Sequence, residues 1–213
     1  MKAKQIFIYF MVGIIGFSTF ISCVDNDDYS VPPVPPTGFF KETFDNVTKA
    51  NGDPIVSSPW PKIAAVINFD NANVTYSDIY AASDVRRVAA INDGSLFVWL
   101  PANKDAVLTL ENIPIEERKN VTLRYRFNAN IYNPGDVSNT NNLIVKFNDV
   151  ELTVPDTELN TANNRNRYLG VAIPIPDELL TEYAKLEFIS VPGNNDKGFR
   201  IDDIELIDNY TSW

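Results

Sequence analysis

The chain has 213 residues, 45% of them hydrophobic, with 18 basic and 28 acidic side chains and a net charge of −10. That is a globular composition, not a disordered one, and its acidity argues against nucleic acid as a partner, because phosphate backbones are repelled. There is no histidine and one cysteine, Cys23, which removes Ser-His-Asp and Cys-His triads, histidine zinc sites, cysteine clusters and any intramolecular disulfide.

Lys2 and Lys4 precede an almost wholly apolar stretch, residues 6–21, which ends at Ser22-Cys23. A basic start, an apolar core and a small residue before a cut form a secretory signal. The stretch is also nearly long enough for an uncleaved transmembrane anchor; the lone cysteine at its end favours the signal. Phe20-Ile21-Ser22-Cys23 resembles the site at which a bacterial lipoprotein is cut before a cysteine that then carries the lipid, with Phe20 where leucine is usual. That resemblance implies two or more acyl chains on Cys23, enough for stable anchoring. Asp25, Asp27 and Asp28 follow; they resemble the surface-export signal of Bacteroidota lipoproteins, with a simple solvated spacer as the alternative. Residues 31–38, VPPVPPTG, form a stiff, extended segment. The expected organisation is a signal peptide over 1–22, a lipidated cysteine with an acidic and Pro-rich linker over 23–38, and one domain over 39–213. The expected location is the outer membrane, lipid-anchored and facing the cell exterior, although the leaflet stays open.

From Phe39 the pattern is strands and turns. Val121, Leu123, Tyr125 and Phe127 alternate with Thr122, Arg124, Arg126 and Asn128, one face buried and one wet. Leu143, Val145 and Phe147 lead to a turn at Asn148-Asp149, and Val150, Leu152 and Val154 return as a hairpin. Further strands are predicted at 39–44, 74–77, 85–91, 96–100, 106–111, 168–173, 184–190 and 198–207. A short helix is predicted near 60–66 and a helical turn near 177–183. Nine or ten short strands without helical periodicity predict an all-β sandwich of jelly-roll type. The Asn-rich segments 136–142, 160–167 and 193–196 read as exposed connections.

Two carboxylate groups stand out at the ends of the domain. Alternation puts Glu42 on the core face with Phe40 and Phe44, where it needs a partner. In the closing strand the apolar phase changes at Asp202-Asp203, which calls for a bulge or for burial of both faces. The opening ETFDN and the closing FRIDDIEL resemble galactose-binding-like jelly rolls. Such domains recur in carbohydrate-binding modules and in choice-of-anchor domains of Bacteroidota surface lipoproteins. WPKIAAV, DVRRVAAI and FVWLPANKDAVLTLENI are similar to the same lipoprotein domains. The resemblance spans most of 39–208 and rests on the order of short motifs. It implies a structural calcium beside the first and last strands, with Glu42, Asp45, Asp202 and Asp203 as the oxygen donors. The alternative is that Glu42 pairs with Lys or Arg while the aspartates hold backbone amides.

Sugar sites set aromatic faces near polar groups. The aromatic candidates are Trp60, Trp99, Tyr76, Tyr80 and Tyr132, with Arg86, Arg87 and Asn128 as polar partners; for each aromatic, core packing competes with stacking. Adjacent arginines on a strand face opposite ways, so either Arg86 or Arg87 faces the interior side or a groove, where an Asp pair or a ligand would hold it. Three functions fit this reading. They are a non-catalytic glycan-binding surface lipoprotein, an adhesion or structural lipoprotein that binds another surface protein, and a glycosidase using two carboxylates. No motif marks a catalytic pair, and the expectation is a glycan binder rather than an enzyme.

Overall fold

The computed structural model describes residues 37–88 and 94–208, so the expected signal peptide, Cys23 and nearly all of the linker lie outside the described residues. In chain order the strands are β1 (Thr37–Glu42), β2 (Thr48–Lys49), β3 (Val66–Ile67), β4 (Thr75–Ser77), β5 (Asp84–Arg87), β6 (Leu96–Leu100), β7 (Ala106–Pro114), β8 (Val121–Ala129), β9 (Ser138–Asn139), β10 (Ile144–Phe147), β11 (Val150–Leu152), β12 (Glu158–Leu159), β13 (Leu169–Pro174), β14 (Tyr183–Ser190) and β15 (Phe199–Asp208). The two helical predictions reduce to single 3-10 turns at Ile63–Ala65 and Asp177–Leu179.

One sheet runs β13-β8-β15-β6-β5, with β1 also paired to β15; the other runs β11-β10-β14-β7-β4. From β6 onward the chain passes back and forth between the two sheets, the crossing expected of a jelly roll, and the all-β sandwich stands. Alternation supplies the core. Leu123, Tyr125 and Phe127 of β8 and Phe199 and Ile201 of β15 face Leu108 and Leu110 of β7 and Leu186 and Phe188 of β14, all buried. Tyr125 meets Phe188 edge-on at 5.0 Å between ring centres. Each such side chain contributes about 1.5–3 kcal/mol through burial. Asn148 and Asp149 both have positive φ (47° and 67°), the turn geometry that brings Val150 back opposite Phe147.

The closing strand holds the first sheet together. Its pairing with β8 shifts by one residue between Asp202 and Glu205, which face Arg126 and Arg124. Asp203 takes φ 45° there. The bulge lets Phe199 and Ile201 before it, and Ile204 and Leu206 after it, all reach the core, which is the phase change visible in the sequence. The same bulge marks a change of neighbour on the other edge, where β6 pairs residues 199–201 and β1 pairs residues 204–208.

Two Asn-rich segments differ from expectation. Asn164 and Asn195 are fully buried rather than exposed. Asn164 exchanges hydrogen bonds with the Ala129 amide and carbonyl. The Asn195 amide nitrogen donates to the Leu100 carbonyl and the Ser190 hydroxyl, and its oxygen accepts the Gly198 amide. Each latches a loop to a strand end. Polar composition suggested solvent, but a short amide that answers both backbone groups can be buried without penalty.

Candidate functional site

The face of the first sheet that turns away from the core carries a largely buried cluster that starts at β5 and β6. Alternation turns Phe97 and Trp99 of β6 away from the core, together with Asp84 and Arg86 of β5 and Arg200 of β15. The register sets Asp84 opposite Trp99, and Trp99 opposite Arg200. Arg86 grips Asp84 with two nitrogens, Nε to Oδ1 and Nη2 to Oδ2. Its guanidinium carbon lies 4.6 Å from the Trp99 ring centre. Arg200 stands over the same ring at 5.1 Å. Trp99 is only 8% exposed. Gly198, with φ +84°, is also pressed against it, since a Cβ there would fall 2.1 Å from the indole.

Arg200 is 4% exposed and donates to neutral oxygens: Asn128 Oδ1, Asn130 Oδ1 and the Tyr132 hydroxyl. Its Nε has no hydrogen-bond partner among the described residues. Burial pulls the guanidinium below its usual range, opposed by Tyr132 and Tyr168 and reinforced by Arg86. Asn128 faces both ways. Its oxygen accepts from Arg200, and its nitrogen donates to the carbonyls of Asn164 and Arg167.

Arg86 also borders an open depression of about 610 Å³ at the β5 edge, shared with Lys62, Tyr80, Asp84, Asn103 and Lys104. Its volume falls within the usual range for small-ligand sites. Lys62 Nζ lies 3.6 Å from Asp84 Oδ2 and donates to the Ala82 carbonyl. The backbone of Pro61 and Lys62 pairs along β5, which fixes that wall. Asn103 is tied by its amide to the Asn195 carbonyl, so the buried latch also sets the opposite wall.

At the rim, Ile79 and Tyr80 are 79% and 54% exposed. They stand on a turn organised by Asp78, whose carboxylate accepts the amides of Tyr80, Ala82, Ser83 and Val107 at 2.9, 3.0, 2.6 and 3.3 Å. A carboxylate that answers several amides in this way stiffens a turn.

Of the residues read from the sequence, Tyr80 and Arg86 thus meet in the depression, and Arg86, Trp99, Asn128 and Tyr132 meet through Arg200. The Arg86–Asp84 pair is one of the two alternatives for that arginine, and Arg87 is exposed. Two stacking candidates, Trp99 and Tyr76, need correction, while Trp60 stays partly accessible. Trp99 is covered by two arginines. Trp60 is half-buried against the core. Tyr76 stacks flat on Phe69, 3.8 Å between ring centres, and its hydroxyl donates to Glu42 at 2.5 Å. Sequence reasoning missed Arg200, Lys62 and Asn103. The signal for Arg200 was present, since a residue between Phe199 and Ile201 must face away from the core.

The four calcium candidates do not form one ligand set. Glu42, fully buried, turns inward and accepts the Phe44 and Asp70 amides as well as the Tyr76 hydroxyl. Asp45 accepts the Leu96 amide. Asp203 turns outward to Arg126 at 3.0 Å and Lys41 at 3.9 Å. Asp202 accepts the Ser95 hydroxyl and the Asp203 amide. Among the described residues no group of three or more candidate ligands comes together. Among the described residues Glu42 has neither the Lys nor the Arg partner considered for it; a phenol and two amides take that place.

No protein-family model matches the chain, and no curated protein does. Among solved structures, the CBM22-1 xylan-binding domain of Xyn10C from Paenibacillus barcinonensis is similar at 7% identity and a TM-score of 0.45, over 83% of this chain and 97% of that one. The K2 cleaved adhesin domain of Lys-gingipain is similar at 14% identity and a TM-score of 0.45, over 78% and 96%. A CBM35 from Paenibacillus barcinonensis is similar at 13% identity and a TM-score of 0.44, over 66% and 94%.

Proposed function

We propose that the chain is a non-catalytic glycan-binding domain, exported and lipid-anchored through Cys23 at the cell surface, and that it takes its ligand in the depression beside Tyr80. One observation carries the reading. An exposed aromatic on a braced turn stands at the rim of an open depression in which Lys62, Asp84 and Arg86 hold one another and alanine and proline residues complete the lining. Sugar rings offer C–H patches to an aromatic face and hydroxyls to such groups. The Asp78-braced turn needs little ordering when a ligand arrives, which favours affinity.

The acids of the depression support binding over hydrolysis. Both oxygens of Asp84 are held by Arg86, so it is a poor general base, and a glycosidase needs two carboxylates free to act on opposite sides of one bond. The anchor rests on the sequence order of basic start, apolar stretch and lone cysteine.

The test is binding of the full chain, in detergent micelles, to a broad glycan panel, with Tyr80→Ala beside it. Saturable binding to a glycan class, weakened at least about tenfold by Tyr80→Ala (about 1.4 kcal/mol), is the expected result. Binding that Tyr80→Ala leaves unchanged would move the site elsewhere. No binding to any glycan by the folded chain would move the reading to a protein partner.

A further inference from the structure

Three cations and two acids line the depression beside Tyr80, in a chain whose net charge is −10, and a third acid, Asp78, lies under the turn with its carboxylate taken up by four backbone amides. Lys62, Arg86 and Lys104 border the depression against Asp84 and Asp105. Asp84 serves Arg86 at both oxygens and has Lys62 close by, which leaves it little capacity to accept from a ligand hydroxyl. Lys104 and Asp105 are exposed, and Lys104 makes no ion pair among the described residues.

Behind Arg86 stands a second guanidinium. Arg200 shares the Trp99 ring with it, is buried, and among the described residues has only neutral oxygens as hydrogen-bond partners, with Nε unpaired. Two guanidinium groups therefore lean on one indole with one carboxylate between them. A buried cation without a carboxylate is costly, and an anion brought to the Arg86 side reduces that cost through space.

We propose that the ligand of the Tyr80 depression is an acidic glycan, one bearing carboxylate or sulfate groups; this rests on the reading of the depression as a glycan site. The sugar ring packs on Tyr80, and its anionic group meets Lys104 and Nη1 of Arg86, the nitrogen that Asp84 does not take. Charge-assisted contacts of this kind are about twice as strong as neutral ones. The charge of the whole chain repels polyanions, so attraction to one must come from a local site.

The experiment uses matched polymers on the full chain in detergent: polygalacturonate against its methyl ester, and dextran sulfate against dextran. The acidic member of at least one pair is expected to bind about tenfold tighter than its neutral counterpart. That preference should shrink in Lys104→Gln and in high salt, and binding should fall in Tyr80→Ala. The responding pair distinguishes carboxylate from sulfate. Neutral members binding as tightly as acidic ones, with loss in Tyr80→Ala, would overturn the acidic class and leave the glycan site standing. Acidic polymers bound equally by Tyr80→Ala and Lys104→Gln would also overturn it. No binding of these polymers or of any panel glycan would overturn the glycan reading as well.

Discussion

Arg86 holds its guanidinium 4.6 Å from the centre of the Trp99 ring while two of its nitrogens grip Asp84. One side chain thereby joins the depression at the β5 edge to the buried Arg200 behind it. The pairing stabilises the fold, because a cation over an indole is worth more when water is excluded.

Trp99 is therefore expected to matter first for stability. Trp99→Ala removes an 8% exposed indole and the surface on which both arginines rest. It should cost about 3–5 kcal/mol, read as a lower urea midpoint. Trp99→Phe keeps an aromatic face and should lose less than half of that.

Gly198 tests the same packing from the other side. Its φ of +84° and the absence of room beside the indole make Gly198→Ala destabilising by at least about 2 kcal/mol. A loss below about 0.5 kcal/mol would mean that Trp99 is free to shift, contrary to its clamp between two guanidinium groups.

Glu42 gives a pH signature. Burial raises its pKa, partly offset by the Tyr76 hydroxyl and the Phe44 amide. With the folded value above the unfolded one, its contribution to stability is fully present below the ordinary glutamate range and is lost as pH rises through the raised value. The stability of the native chain minus that of Glu42→Gln should therefore fall as pH rises from about 4 toward 8. Urea midpoints across that range check the sign. A difference that grows with pH would mean that its three donors hold Glu42 ionised.

Asp78→Ala removes the acceptor for four amides, that of Tyr80 among them, while leaving the Tyr80 side chain in place. Loss of the brace should destabilise the fold by about 1–2 kcal/mol and weaken ligand binding by about tenfold, since the loosened turn must be ordered on binding. Calorimetry separates the two, because the binding loss should carry an entropic penalty absent from the native chain.

Much of the fold was legible because alternation dominates it. β8 and the β10–β11 hairpin followed from period two and a two-residue turn, and the bulge in β15 followed from a phase change in the apolar pattern. The two-residue pairs β2–β3 and β9–β12 were not legible, since so short a run carries no period. The site was harder. Alternation left Trp99 between core and sheet face and did not choose between Arg86 and Arg87, and no local pattern says that Gly198 and Arg200, where a much later strand begins, arrive on the same indole. Tyr76 looked like a surface aromatic for the same reason. Its partners, Phe69 and Glu42, come from other segments, and only tertiary contact makes it part of the interior.

The most direct test of the central claim is amide hydrogen exchange on the full chain in detergent, with and without pooled glycans, because it locates a site before the ligand is known. Slowed exchange confined to residues 79–86 and 102–106 in the presence of one pool is the predicted result. Protection elsewhere on the sandwich, with none in those two segments, would contradict the placement of the ligand beside Tyr80.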